Sequence, residues 1–197
     1  MPQIDFDGAN SLVKTDKIQG QGGTTVTVPT GHTVAITDAD RLTIAGTAVK
    51  AGGNKPVFNV VTDNAAEISN TTWTKLIFDS EILDSNSAFD AASNYRFTVP
   101  ANEAGNYFFH CTVDIQETAD HDDVRLNIYK NGSAHMLSQL GRFHYYDTAT
   151  LTTMLSLVAT DYVEMYIHHT KGSNMTVAAG DTSNRGTRWC GFKLSGT

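Results

Sequence analysis

The chain has 197 residues, of which 40% are hydrophobic and 18% charged, with 16 Gly, 4 Pro and a formal charge of −7. Charged residues fall below the roughly 25% of ordinary soluble domains, and 26 Thr carry much of the polarity, a β-branched bias that predicts an all-β protein. With no Lys/Arg run to displace counterions and no apolar run near the roughly 20 residues of a membrane span, nucleic-acid binding and membrane insertion are not expected.

The opening Met1-Pro2-Gln3-Ile4-Asp5 lacks the basic and apolar regions of an export signal, so synthesis and assembly in a cytosol are expected. Residues 1–50 contain a short repeat. Val26 and Val28, Val34 and Ile36, and Leu42 and Ile44 form apolar pairs at an eight-residue step, each pair one short strand with one apolar face. Three such strands bury too little to stand alone. Either they fold back on the main domain, or identical segments of neighbouring chains wrap into a joint β-rich stalk that trimerises and anchors the chain. Residues 51–70 read as a linker, with Gly52 and Gly53 as hinge and Val57, Phe58, Val60 and Val61 as a connecting strand.

From residue 71 onward the pattern is repeated strands of five to eight residues between turn signals, the spacing of a sandwich or jelly roll. Tyr107-Phe108-Phe109 is apolar on consecutive positions, so this strand needs cover on both faces. Val124, Leu126 and Ile128 alternate with Arg125, Asn127 and Tyr129, and Asn131-Gly132 supplies the positive φ angles of a tight hairpin. Val163, Met165 and Ile167 read as core-facing, with Tyr162 and Tyr166 on the opposite face beside Glu164, an arrangement found at subunit contacts. His168 and His169 then point to opposite faces and cannot chelate one ion as a pair. Cys111 and Cys190 belong to no close cysteine pair and are expected to be free thiols.

The run Phe78, Asp84, Phe89, Phe97, Val99-Pro100 and Gly105-Asn106-Tyr107-Phe108-Phe109 resembles the signature of the complement C1q globular-head family, within the tumour-necrosis-factor-like jelly rolls. The chain departs from that signature by one extra residue before Phe97, two before Gly105, and Cys111 in an aromatic position. Leu157-Val158-Ala159-Thr160-Asp161-Tyr162-Val163 is similar to the family's Leu-x-x-Gly-Asp-x-Val with Thr160 in place of Gly, and Thr187–Leu194 looks like its last strand. The resemblance covers residues 71–197 and implies a ten-stranded jelly-roll head that trimerises through one sheet. Tyr107, Phe108, Phe109, Tyr162 and Tyr166 are the expected interface. Around Asp16-Lys17-Ile18 and Gly22–His32 the leader is similar to small fibre and decoration proteins of marine bacteriophages.

No Gly-x-Ser-x-Gly elbow, phosphate-binding loop or His-Glu-x-x-His motif occurs, so neither enzyme activity nor a cofactor is expected. Asp114, Glu117, Asp120, Asp122 and Asp123 form an acidic stretch in which Asp120, Asp122 and Asp123 are calcium candidates, because hard oxygen ligands suit that ion and some C1q-like heads bind it. Arg142, Phe143, His144, Tyr145 and Tyr146 form an amphipathic cluster suited to stacking on sugar rings, a receptor candidate for a host surface glycan. The expected function is a non-enzymatic, homotrimeric bacteriophage virion protein, a fibre, spike or capsid decoration. Residues 1–50 would bind other virion proteins and residues 71–197 would form the outward head. A free soluble C1q-like lectin or signalling ligand is the alternative.

Overall fold

The computed structural model describes residues 43–44, 47–48, 54–117, 123–141, 147–180 and 186–194. The chain forms two compact units, Met1–Ala51 and Gly52–Thr197. In the first, β1 (Thr43–Ile44) pairs antiparallel with β2 (Thr47–Ala48), Ile44 lying opposite Thr47. Of the expected repeat core, Ile44 is on β1, while Val26, Val28, Val34, Ile36 and Leu42 lie outside the described residues.

The second unit continues with β3 (Val57–Val61), β4 (Ala66–Ile68), β5 (Thr74–Lys75), β6 (Ser80–Asp84), β7 (Phe89–Asp90) and β8 (Arg96–Thr98). It goes on through β9 (Gly105–Asp114), β10 (Val124–Lys130), β11 (Ser133–Leu140), β12 (Thr148–Leu157), β13 (Tyr162–His169), β14 (Met175–Val177) and β15 (Arg188–Lys193). One sheet runs β12-β9-β15-β3-β6; the other runs β11-β10-β13-β8-β7, with β5 also on β13. Short β4 and β14 form a separate pair. The two long paths hold ten strands, the number that the family resemblance implies, and β4, β5 and β14 are additions to it.

Period-two alternation builds the sandwich. On β12 every second residue is buried from Ala149 to Leu157, and the residues between them face out. Phe58 of β3 crosses between the sheets, its ring 5.2 Å from Phe89 and 5.0 Å from Phe97. Trp189 stands edge-on to Phe58 at 5.1 Å. Gly191 is required beside this cluster, because a Cβ there would come within 2.6 Å of the Phe109 ring. At the β10–β11 turn, Asn131 and Gly132 have φ of 51° and 77°, the two positive angles of a two-residue hairpin.

One expected boundary needs correction. Residues 54–70 are not a linker: β3 is a central strand between β15 and β6, and Phe58 and Val60 are fully buried. An apolar run beside Gly52-Gly53 and Asn54 reads as a connection, but tertiary pairing makes it core. The cysteines are free. Cys111 faces the interior opposite Trp189, while Cys190 faces outward opposite His110, so the thiols lie on opposite sides of the sheet.

Candidate functional site

The five residues expected at one subunit contact are divided among the interior and two outer faces. Tyr107 and Phe109 are fully buried between the sheets, their rings stacked at 6.1 Å, and the Tyr107 hydroxyl donates to the Glu103 carbonyl. They are core residues, which corrects the interface assignment. Phe108 alone of the three faces out from β9. Tyr162 and Tyr166 face out from β13, on the other sheet. Phe108 and the two tyrosines therefore lie on opposite outer faces of the sandwich.

On the outer face of the five-stranded sheet, register aligns Met154, Phe108, Phe192 and Val57 in one row across four strands. Phe108 and Phe192 have ring centroids 5.3 Å apart, and Met154 is 66% exposed. The next row aligns Thr152, His110, Cys190, Asn59 and Leu83, with His110 Nδ1 and Thr152 Oγ1 hydrogen-bonded at 2.8 Å and Leu83 exposed. Asn59 Oδ1 is shut off from solvent with no partner among the described residues.

The outer face of the six-stranded sheet is aromatic. Tyr129 and Tyr166 stack at 4.0 Å, Trp73 lies 6.4 Å from Tyr129 and 5.1 Å from His168, and the Arg96 guanidinium sits 4.1 Å over the Tyr162 ring. Lys75 Nζ meets Glu164 Oε1 at 2.6 Å, and Arg125 Nη2 meets Asp123 Oδ2 at 2.5 Å. Arg125 lies directly opposite His168. Burial, then the neighbouring Arg125, pushes the His168 pKa down and favours the neutral ring, whereas burial and Glu164 push the Tyr166 hydroxyl up. Asp123 Oδ1, Arg125 Nε and His168 Nδ1 are all enclosed and, among the described residues, without a hydrogen-bond partner. Each such atom costs about 1–3 kcal/mol. His169, on the other side of β13, is buried, and its Nε2 lies 2.9 Å from the Ile68 carbonyl, so the two histidines diverge as the strand period requires.

The acidic stretch is partly spent on structure. Glu117 pairs with Lys171 and accepts the Thr176 amide at 2.6 Å, and Asp123 pairs with Arg125. Asp120 and Asp122 lie outside the described residues, as do Arg142, Phe143, His144, Tyr145 and Tyr146. Among the described residues no group of three or more His, Cys, Asp or Glu is placed to hold a metal ion. A hollow of about 590 Å³ is lined by Asp79, Glu81, Phe89, Asp90, Ala91 and Ala92. Asp90 is committed to its own turn, where Asn94 Nδ2 and the Ser93 and Ala92 amides hold its pKa down to about 2.

Sequence reasoning missed Trp73 and Phe192. Trp73 stands alone in a Thr-rich segment, and only the pairing of β5 with β13 brings it beside His168. Phe192 sits in Gly191-Phe192-Lys193, where alternation from Trp189 points it outward.

No protein-family model and no curated sequence matches the chain. Solved structures do. Vertex protein P5 of the phage PRD1 matches with TM-score 0.55 at 12% identity, over 73% of this chain and 100% of that one. The Eiger TNF of S. frugiperda matches with TM-score 0.51 at 8% identity, over 72% of this chain and 93% of that one. The globular domain of zebrafish complement 1qA matches at 16% identity with TM-score 0.45, over 71% of this chain and 97% of that one. The chain therefore carries an all-β jelly roll of the tumour-necrosis-factor type.

Proposed function

We propose that the chain is a non-enzymatic structural protein of a bacteriophage particle, a homotrimer whose jelly-roll head faces outward and whose first 50 residues attach it to other virion proteins. The observation that carries this reading is the likeness to a phage vertex protein over that protein's whole length. It is joined to an acidic, Thr-rich composition suited to a solvated surface protein.

The proposed assembly uses the row of Met154, Phe108, Phe192 and Val57 as the contact between copies. Burying two aromatic rings, a methionine and a valine takes an apolar strip out of water, and the threonines around it form the polar rim. Three heads on one base would then act together, because second and third contacts with a host surface become effectively intramolecular. Native mass measurement of the full chain should give three times 21.3 kDa. Phe108→Glu, which places a charge in the strip, should give the single-chain mass. A threefold mass for that variant would move the contact elsewhere.

The particle assignment is tested by immunogold labelling and mass analysis of purified virions. Stoichiometric label on vertices, faces or tail supports it. Absence of the chain from every particle would replace it with the soluble-ligand reading, which the likeness to Eiger TNF supports.

A further inference from the structure

We propose that Asn131 is a site of spontaneous deamidation that the folded head holds closed, and that opening of the β10–β11 turn converts it irreversibly to aspartate or isoaspartate.

Asn131-Gly132 is the chain's single Asn-Gly pair. In such a pair the glycine nitrogen attacks the asparagine Cγ with no side chain of its own in the way. The new N–Cγ bond closes a five-membered imide, the Cγ–Nδ2 bond breaks, and ammonia leaves with the proton of the glycine N–H. Water then opens the imide at either carbonyl, which yields aspartate or, with one more methylene in the backbone, isoaspartate. Water is the sole co-reactant, and Asn131 is exposed to it.

The turn requires this labile pair. Its two central positions have φ of 51° and 77°, angles that Asn-Gly meets better than other L-residue pairs. A Cβ at Gly132 would be strained by that angle and would crowd the Tyr162 hydroxyl at 3.3 Å.

The same turn also disarms the pair. With both φ positive, ψ at the first central residue is about +30°, which points the next nitrogen away from Cβ, whereas imide closure needs both on one side of the Cα–C bond. The carboxamide is fixed at its two ends as well. Asn131 Nδ2 donates to Asp161 Oδ1 at 2.7 Å, and Asn131 Oδ1 accepts the Tyr162 amide at 2.9 Å. Asp161 is itself held in place by Lys130 Nζ at 2.8 Å and the Val158 amide at 2.9 Å. Reaching the reactive geometry therefore breaks the turn and both carboxamide bonds, so the reaction waits for local opening.

The product does not fit the closed turn. An aspartate has no Nδ2–H for Asp161, and it sets a second carboxylate where the present partner atom lies 2.7 Å from Asp161 Oδ1. Two carboxylates so close disfavour each other's charged form. Isoaspartate lengthens the backbone of a turn built for two residues. Each reaction thus leaves this end of β10 and β13 weaker than before.

The test is peptide mapping by mass spectrometry of full-length protein aged in mildly alkaline buffer, native and denatured, with aspartate and isoaspartate at position 131 counted separately. In denaturant Asn131 should react before Asn10 and Asn86, the asparagines followed by serine. In native protein it should react about tenfold slower or more. Asp161→Ala, shown by circular dichroism to be folded, removes the acceptor of Asn131 Nδ2 and should speed the native reaction about tenfold or more, as loss of a hydrogen bond to a charged group implies. If that variant fails to fold, wild type in urea below its unfolding transition takes its place, and the rate should climb with urea. Asn131→Asp should unfold at a lower temperature than wild type. Equal native and denatured rates, an inert Asn131 in denaturant, a folded Asp161→Ala ageing at the wild-type rate, a rate flat in urea, or an Asn131→Asp as stable as wild type would overturn the proposal.

Discussion

Thr160 occupies a turn whose geometry suits a different residue. The Asp161 amide donates to the Val158 carbonyl at 3.0 Å, closing a four-residue turn, and Thr160 at its third position has φ of 73°. This is a type II turn, which calls for glycine at that place, and it is where the resembling family carries Gly. A β-branched residue held in the left-handed region costs about 1–2 kcal/mol. Replacing it with glycine returns that cost but frees the unfolded chain, which takes back about 0.4–1 kcal/mol. The side chain is exposed, and the amide bond from Thr160 to the Val99 carbonyl, 2.9 Å, survives the change. Thr160→Gly should therefore stabilise the head by about 0.5–1 kcal/mol, raising Tm by about 1–4 °C for a protein of this size. Thr160→Ala, which loses the branch but keeps the Cβ, should gain less. Denaturant and thermal unfolding followed by circular dichroism, at one fixed protein concentration because subunit association shifts apparent stability, would measure both. A glycine variant no more stable than wild type would refute the strain argument.

The remaining predictions address packing, protonation and exposure. Gly191→Ala drives a Cβ into the Phe109 and Phe58 rings at 2.6 and 2.8 Å and should cost about 1–3 kcal/mol, read as a lowered denaturation midpoint. The Asp161 carboxyl is held down to about 2 by Lys130, Asn131 and the Val158 amide. Its folded pKa lies below the unfolded value of 3.8, so its contribution is complete above pH 3.8 and disappears as pH falls toward 2. Asp161→Asn should flatten the acid limb of the stability curve in that window. Under native conditions maleimide should spare the fully buried Cys111, whose pKa burial pushes up. Cys190, on the proposed contact face, should label faster in Phe108→Glu than in wild type; equal rates would count against that face.

Much of the fold could be read directly because alternation is local. The Asn131-Gly132 hairpin and the inward Val163, Met165 and Ile167 needed only neighbouring residues. The role of residues 57–61 was hidden, since an apolar run beside glycine and asparagine reads as a connector until its partners β15 and β6 are known. Tyr107-Phe108-Phe109 announced cover on two faces, but which residue lay outside depended on strand phase. The aromatic platform was harder still. Trp73, Tyr129 and Tyr166 are far apart in sequence, and each alone reads as an ordinary surface aromatic. Only the antiparallel register of β10, β13 and β5 assembles them beside Arg125 and His168.

β15 lies between β9 and β3, so the five-stranded sheet is two separate pieces until residues 188–193 exist. During synthesis every earlier strand of the head emerges first, and the β9 and β3 edges wait without their shared partner. That one strand carries both Trp189, which fills the core, and Phe192, which completes the row beside Phe108. A nascent chain thus has neither a closed core nor a finished association surface. The order of the strands makes the ribosome a timer, withholding the surface proposed for self-assembly until each copy can fold.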